Sequence, residues 1–178
     1  MHLNATSSVV ARLEAGDRAL FHQLLLSAAR LRARTLATAL THLGGARMSI
    51  LLCLWPLFMD GAWPALGRHA LVTLVLSHLL VQLVKRTVVR PRPSFGVAAE
   101  ALLADPDCFS FPSGHAAAAL AIALAYATAW PAVAVPVLGL AFAVGASRVA
   151  LGVHYPGDVA AGQAIAAGTH LVLRWLGA

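Results

Sequence analysis

The stretch that decides the fold runs from Val133 to Asp158, VAVPVLGLAFAVGASRVALGVHYPGD. Its first half is an unbroken apolar run, and its second half gathers Arg148, His154 and Asp158. Another apolar segment follows, from Pro156 to about Trp175. Ionisable groups at the end of an apolar helix gain nothing from packing there, and at a membrane boundary they are functional candidates by default. The whole chain agrees with that setting. Of 178 residues, 60% are hydrophobic and only 11% charged, and the mean hydropathy is +0.77. A soluble domain carries about 25% charged residues, so the deficit argues for one integral membrane domain. The net charge of +6 is not arranged as a basic stripe interleaved with aromatics, which argues against nucleic acid. Cys53 and Cys108 have neither the spacing of a zinc site nor the number for a disulfide framework. Met1 to Gly16 lacks the apolar core of a signal peptide.

Working outward, residues 1–16 read as a flexible N-terminus and residues 17–45 as an amphipathic helix. Arg18, Arg30, Arg32 and Arg34 make it too basic to cross a bilayer, so it is expected to lie in the interface or against the bundle. Gly44-Gly45 ends it. Residues 46–178 then form the membrane-embedded domain. Met48 to Met59, interrupted by Pro56, needs its flanks to approach the roughly 20 residues of a span. Ala65 to Val84 is a clearer span, which should stop near Val89 because Arg90 and Arg92 each precede proline. A mixed loop, 94–111, has room for a short helix over Val97 to Ala104. Gly114 to Trp130 and Val133 to Ala146 are two spans joined too tightly, at Pro131, for anything but an antiparallel hairpin. The expected fold is all-α, a polytopic transmembrane bundle of five to six spans with an N-terminal amphipathic helix.

The order of these spans brings the polar residues together. The helix ending at Lys85, the helix beginning at Gly114, the hairpin returning to Ser147 and the helix leaving from Pro156 all meet one membrane face. Lys85, Arg92 and Arg148 there suit an anion of more than one charge, with planar donors from arginine and a point charge from lysine. Ser113 is placed to cap a helix whose first amides, at Gly114 and His115, face outward as an anion site. Pro156 suits the first position of the last helix, which puts Asp158 in its first turn and within reach of His154. A histidine fixed by a carboxylate is a nucleophile or a base. The second, His115, is a candidate acid. No carboxylate cluster for Mg²⁺ and no His/Cys set with metal spacing is present in the sequence, so phosphoryl transfer without metal or other cofactor is the expected chemistry.

Three motifs then resemble the type 2 phosphatidic acid phosphatases (PAP2): Lys85 to Arg92-Pro93, Pro112-Ser113-Gly114-His115, and Ser147-Arg148 to His154 to Asp158. All are complete, in order and correctly spaced, within about residues 48 to 175. The resemblance implies that His154 attacks phosphorus and becomes a phosphohistidine, that Asp158 orients it and that His115 protonates the leaving oxygen. Lys85, Arg92, Ser113, Gly114 and Arg148 would hold the phosphate. Substrates of such proteins are lipid phosphates: phosphatidate, phosphatidylglycerol phosphate, or isoprenyl phosphates and diphosphates.

Outside the motifs, simpler readings apply. His78 and Gln82 read as a hydrogen-bonded pair inside the bundle, and His170 as a satisfied interior or interfacial histidine. Arg86 and Arg90 read as headgroup contacts, Glu100, Asp105 and Asp107 as loop charges, and Arg30-Arg32-Arg34 as an anchor to anionic lipid. Three competing functions stay open: hydrolysis of a small soluble phosphate, vanadate-dependent haloperoxidase chemistry, and a scaffold that binds anionic headgroups without turnover. Orientation is contested. If residues 17–43 do not cross, the arginine count favours a cytoplasmic site. The resemblance favours the extracytoplasmic face of the inner membrane, which is the orientation adopted.

Overall fold

The computed structural model describes residues 3–27, 31–93 and 109–177. Among these, apart from one antiparallel bridge between Pro91 and Phe109, regular structure is helical. The elements are α1 (Leu3–Ser27), α2 (Leu31–Leu43), α3 (Ala46–Leu54) with a 3₁₀ turn Trp55–Phe58, α4 (Trp63–Thr87), α5 (Gly114–Ala129), α6 (Ala134–Ala150) and α7 (Pro156–Trp175). A second 3₁₀ turn, Pro131–Val133, makes the α5–α6 hairpin.

α5 is the hub, packed against α4, α6 and α7. Its sequence, GHAAAALAIALAYATA, is apolar on every side, as a helix surrounded by others should be. Ala117, Ala121 and Ala123 bury against Val81 of α4, Ala141 of α6 and Ala166 of α7. Small side chains let these helix axes approach closely, which is how helices associate where lipid removes the hydrophobic drive.

By length and apolarity, α4 and the segment Pro131–Ala150 are each fit to cross a membrane. Ala33–Leu43 and Ala46–Phe58 pass the same test only as a pair bent by 46°. α5, at 16 residues, is a shorter apolar helix. The described helices therefore hold two clear spans, three with the bent pair, against the five to six expected. The first amphipathic segment also differs from expectation. Helix begins at Leu3, where a flexible terminus was expected; residues 28–30, between α1 and α2, lie outside the described residues. Glu14 and Arg18, four residues apart and 3.6 Å from each other, help carry the helix through Gly16. The expected helix over 97–104, with Glu100, Asp105, Asp107 and Cys108, lies outside the described residues, as does Arg30.

α1 packs across the end of the bundle where α5 and α7 begin and α6 ends. Phe21 is fully buried there with Ala116, Val149 and Val159, and its ring lies 5.2 Å from that of Tyr155.

Candidate active site

The convergence of helix ends puts Lys85 (α4), Gly114 and His115 (α5), and His154 (before α7) on the wall of one cavity of about 480 Å³. Ser113 caps α5, accepting a hydrogen bond from the Ala116 amide at 3.5 Å. Its own amide donates to the Asp158 carbonyl at 2.9 Å, which ties the start of α5 to the start of α7. Gly162, one turn further along α7, faces the Ser113 carbonyl so closely that a Cβ would overlap it.

His154 is buried. Its Nδ1 lies 3.6 Å from Asp158 Oδ2, an ion-pair distance slightly long for a hydrogen bond. Asp158 is itself over-determined. Its Oδ2 accepts the Tyr155 amide at 2.8 Å, and its Oδ1 accepts Arg90 Nη1 at 2.7 Å. Burial pushes the His154 pKa down to about 4, and the positive charges of Arg148 and Arg92 add to that against the opposing pull of Asp158. The imidazole is therefore neutral near pH 7, with Nδ1 beside the carboxylate and Nε2 left for the cavity.

The two motif arginines brace the same loop. Arg92 Nη1 donates to the Val153 carbonyl at 3.3 Å. Arg148 is almost wholly buried, donates from Nη1 to Thr41 Oγ1 at 2.9 Å, and accepts the Val153 and His154 amides at its carbonyl. Lys85 Nζ reaches the Phe109 carbonyl at 3.4 Å. All eight motif residues thus gather at one end of the bundle, in the grouping the span order predicts.

Three further features escape a motif-based reading. Arg90, expected as a headgroup contact, belongs to the site. Its guanidinium joins Asp158 to Asp17 of α1, at 2.7 Å each, and sits 4.1 Å from the Tyr155 ring centre. Asp17 also accepts the Gly157 amide at 2.8 Å, so α1 helps hold the turn that carries Asp158. Asp17 stands four residues before the apolar Phe21, on the face that α1 buries, and that was the available signal. Second, Gly44-Gly45 does more than end a helix. A side chain at Gly44 would meet the His115 carbonyl at 2.8 Å, so this break is what lets α2 and α3 close on α5. Third, His78 and Gln82 do pair, 3.4 Å apart, but on the exposed wall of the cavity rather than inside the bundle. His170 follows expectation: it is buried, with His69 and Thr128 each 3.1 Å from its ring nitrogens.

The sequence profile of the PAP2 superfamily matches residues 66–177. Lipid A 1-phosphatase of Rhizobium johnstonii is 37% identical over 107 residues, 57% of this chain and 44% of that protein. Decaprenylphosphoryl-5-phosphoribose phosphatase of Mycobacterium tuberculosis is 40% identical over 109 residues, 59% of this chain and 55% of that protein. The chain thus matches about half the length of these curated relatives. Among solved structures, the transmembrane phosphatidylglycerolphosphate phosphatase of Bacillus subtilis superposes with a TM-score of 0.74 at 24% identity, over 93% of this chain and 86% of the other. LpxE of Aquifex aeolicus gives 0.74 at 25%, over 86% and 92%.

Proposed function

The chain belongs to the PAP2 superfamily, and from that premise we propose that it is an integral membrane phosphatase that hydrolyses a lipid phosphate through a phosphohistidine. One observation carries the reading: a buried His154, 3.6 Å from Asp158, opens into the same cavity as Lys85, Gly114 and His115. In the first step His154 Nε2 forms a bond to phosphorus while the bond from phosphorus to the lipid oxygen breaks. That oxygen takes its proton from His115. Lys85, Arg92, Arg148 and the amides at the start of α5 neutralise the charge that develops on the phosphoryl oxygens. In the second step water attacks phosphorus, His115 takes its proton, the P–N bond breaks and inorganic phosphate leaves.

The cavity favours a lipid over a small soluble ester. From the catalytic end it runs along α3 and α4 past Ile50, Leu74, Val75 and Leu79, which are apolar, and three of which are exposed on the outer face. A tail resting there stays in the bilayer while the phosphate reaches the helix ends. In this reading residues 46–178 are the catalytic domain, α1 lies in the interface over the site, and the site faces outward from the inner membrane. Arg12, Arg18, Arg30, Arg32, Arg34 and Arg47 pull against that orientation, and labelling of a single cysteine introduced on α1 in intact cells tests it. Reagent that reaches it only after permeabilisation overturns the outward assignment.

The direct test is phosphate release from phosphatidate, phosphatidylglycerol phosphate and isoprenyl phosphates by purified protein in EDTA. Wild-type protein should turn over at least one, and His154→Ala none. His115→Ala should lose more on alkyl esters than on p-nitrophenyl phosphate, whose leaving group needs no proton. Full activity of His154→Ala would sink the phosphohistidine.

A further inference from the structure

The apolar cavity has a polar band across it that the hydrolytic chemistry does not use. Gln82 lies one turn and His78 two turns along α4 from Lys85, about 5 and 10 Å along the helix axis. Both line the cavity, and their side-chain nitrogens are 3.4 Å apart. Ser49 on α3 lines the same cavity. It is buried, at 2% exposure, and its Oγ has no hydrogen-bond partner among the described residues. Further along α4 the wall returns to Leu74 and Val75.

Polar groups at this depth of a spanning helix are costly unless something pairs with them. A buried hydroxyl without a partner is likewise unfavourable until a ligand satisfies it. A simple isoprenyl phosphate would set bare hydrocarbon against all three side chains. A phosphate carried on a glycerol diester or a sugar ring places ester carbonyls, ring oxygens or hydroxyls within a few bonds of phosphorus, at the level of the band. Gln82 and Ser49 can each donate and accept, and His78 does either according to tautomer.

Resting on the proposed phosphatase activity, we infer that Ser49, His78 and Gln82 form a headgroup subsite. It selects lipid phosphates with hydrogen-bonding groups next to the phosphate over those in which hydrocarbon begins at once. A site built to hydrogen-bond its substrate discriminates strongly against an analogue that leaves it unpaired.

The test compares kcat/KM of wild type, Ser49→Ala, Gln82→Leu and the pair His78→Leu/Gln82→Leu on four substrates in detergent. These are phosphatidate, a lipid-linked sugar phosphate, an isoprenyl monophosphate and p-nitrophenyl phosphate. Wild type should prefer phosphatidate or the sugar lipid, and whichever leads identifies the headgroup. On it the paired variant should lose about tenfold or more, with changes within about twofold on the isoprenyl and p-nitrophenyl phosphates, as expected when hydrogen bonds to one substrate alone are removed. Ser49→Ala and Gln82→Leu should show the same selectivity at smaller size, so the inference stands or falls even if the paired variant does not fold. Wild type that is fastest on the isoprenyl phosphate, or variants that lose equally on all substrates, would overturn the subsite. Failure of wild type to release phosphate from any lipid would instead overturn the activity on which it rests.

Discussion

The neutral state of His154 has a measurable cost in stability. Its pKa is near 4 in the fold against 6.5 in an exposed histidine. Between those values the unfolded chain takes up a proton that the folded chain refuses. Stability is therefore complete above about pH 6.5 and falls as pH drops toward 4, by on the order of 3 kcal/mol if the full difference is realised. Thermal melts in detergent should show wild type losing more between pH 7 and 4.5 than His154→Gln. Parallel losses would mean that burial does not hold the imidazole neutral. Arg90 supplies a second test at this scale. Because it spans Asp17 and Asp158, Arg90→Ala should lower kcat by roughly 10–100-fold, the range expected when a reacting group is slightly misplaced. KM should move little, and Arg90→Lys should not rescue, since an ammonium lacks the planar fork and the stacking on Tyr155. Adding Asp17→Asn to Arg90→Ala should cost little further, because the amide oxygen still accepts the Gly157 amide and the lost charge served only Arg90; additive losses would separate the two. That Lys85, Arg92, Arg148, His154 and Asp158 meet was legible in the sequence, because each stands at or beside a helix end that the span order brings to one face. Arg90 was not, because its partner Asp17 is far away in sequence and lies on a helix outside every motif.

Among the helices, the contact between α5 and α7 sets the site. The start of each is tied to the other through the Ser113 amide and the Asp158 carbonyl, and Gly162 leaves room for the Ser113 backbone. Gly162→Ala must push a backbone atom, which cannot swing away as a side chain does, so a loss of about 1–3 kcal/mol is expected together with reduced turnover. Gly168, on the same helix, faces open space: among the described residues no atom lies within 4 Å of where a Cβ would stand. Gly168→Ala should therefore leave activity intact and raise stability by about 0.5–1 kcal/mol. Melting curves and specific activity of the two variants check the contrast; similar behaviour would mean the α5–α7 contact is not tight. Sequence reading found these helices from their apolar runs and placed their starts through Ser113 and Pro156. It did not settle whether the basic N-terminal helix lies on lipid or on the bundle, since amphipathicity fits both. Nor could it show that Gly44-Gly45 faces His115, which depends on how α2 and α3 fold back.

At the scale of the whole molecule, the order of spans forced the polar helix ends to one face, so the gathering of the motifs was readable before any coordinates. Where the bundle opens was not, because the faces that α3 and α4 turn to each other depend on the bend at Gly44-Gly45 and the stop at Pro56. Their arrangement leaves the cavity bordered by outward-facing apolar side chains, Leu79 among them at 58% exposure. If substrate enters sideways from lipid, bulk at Leu79 should obstruct tails and spare everything else. Leu79→Trp replaces an apolar side chain with a larger one on a lipid-facing wall, where an indole is tolerated. KM for phosphatidate should rise several-fold while hydrolysis of p-nitrophenyl phosphate, which reaches the helix ends from water, stays within experimental scatter. An equal loss on the soluble ester would place the damage in the catalytic end, and an unchanged KM for the long-chain lipid would mean that the tail takes another path.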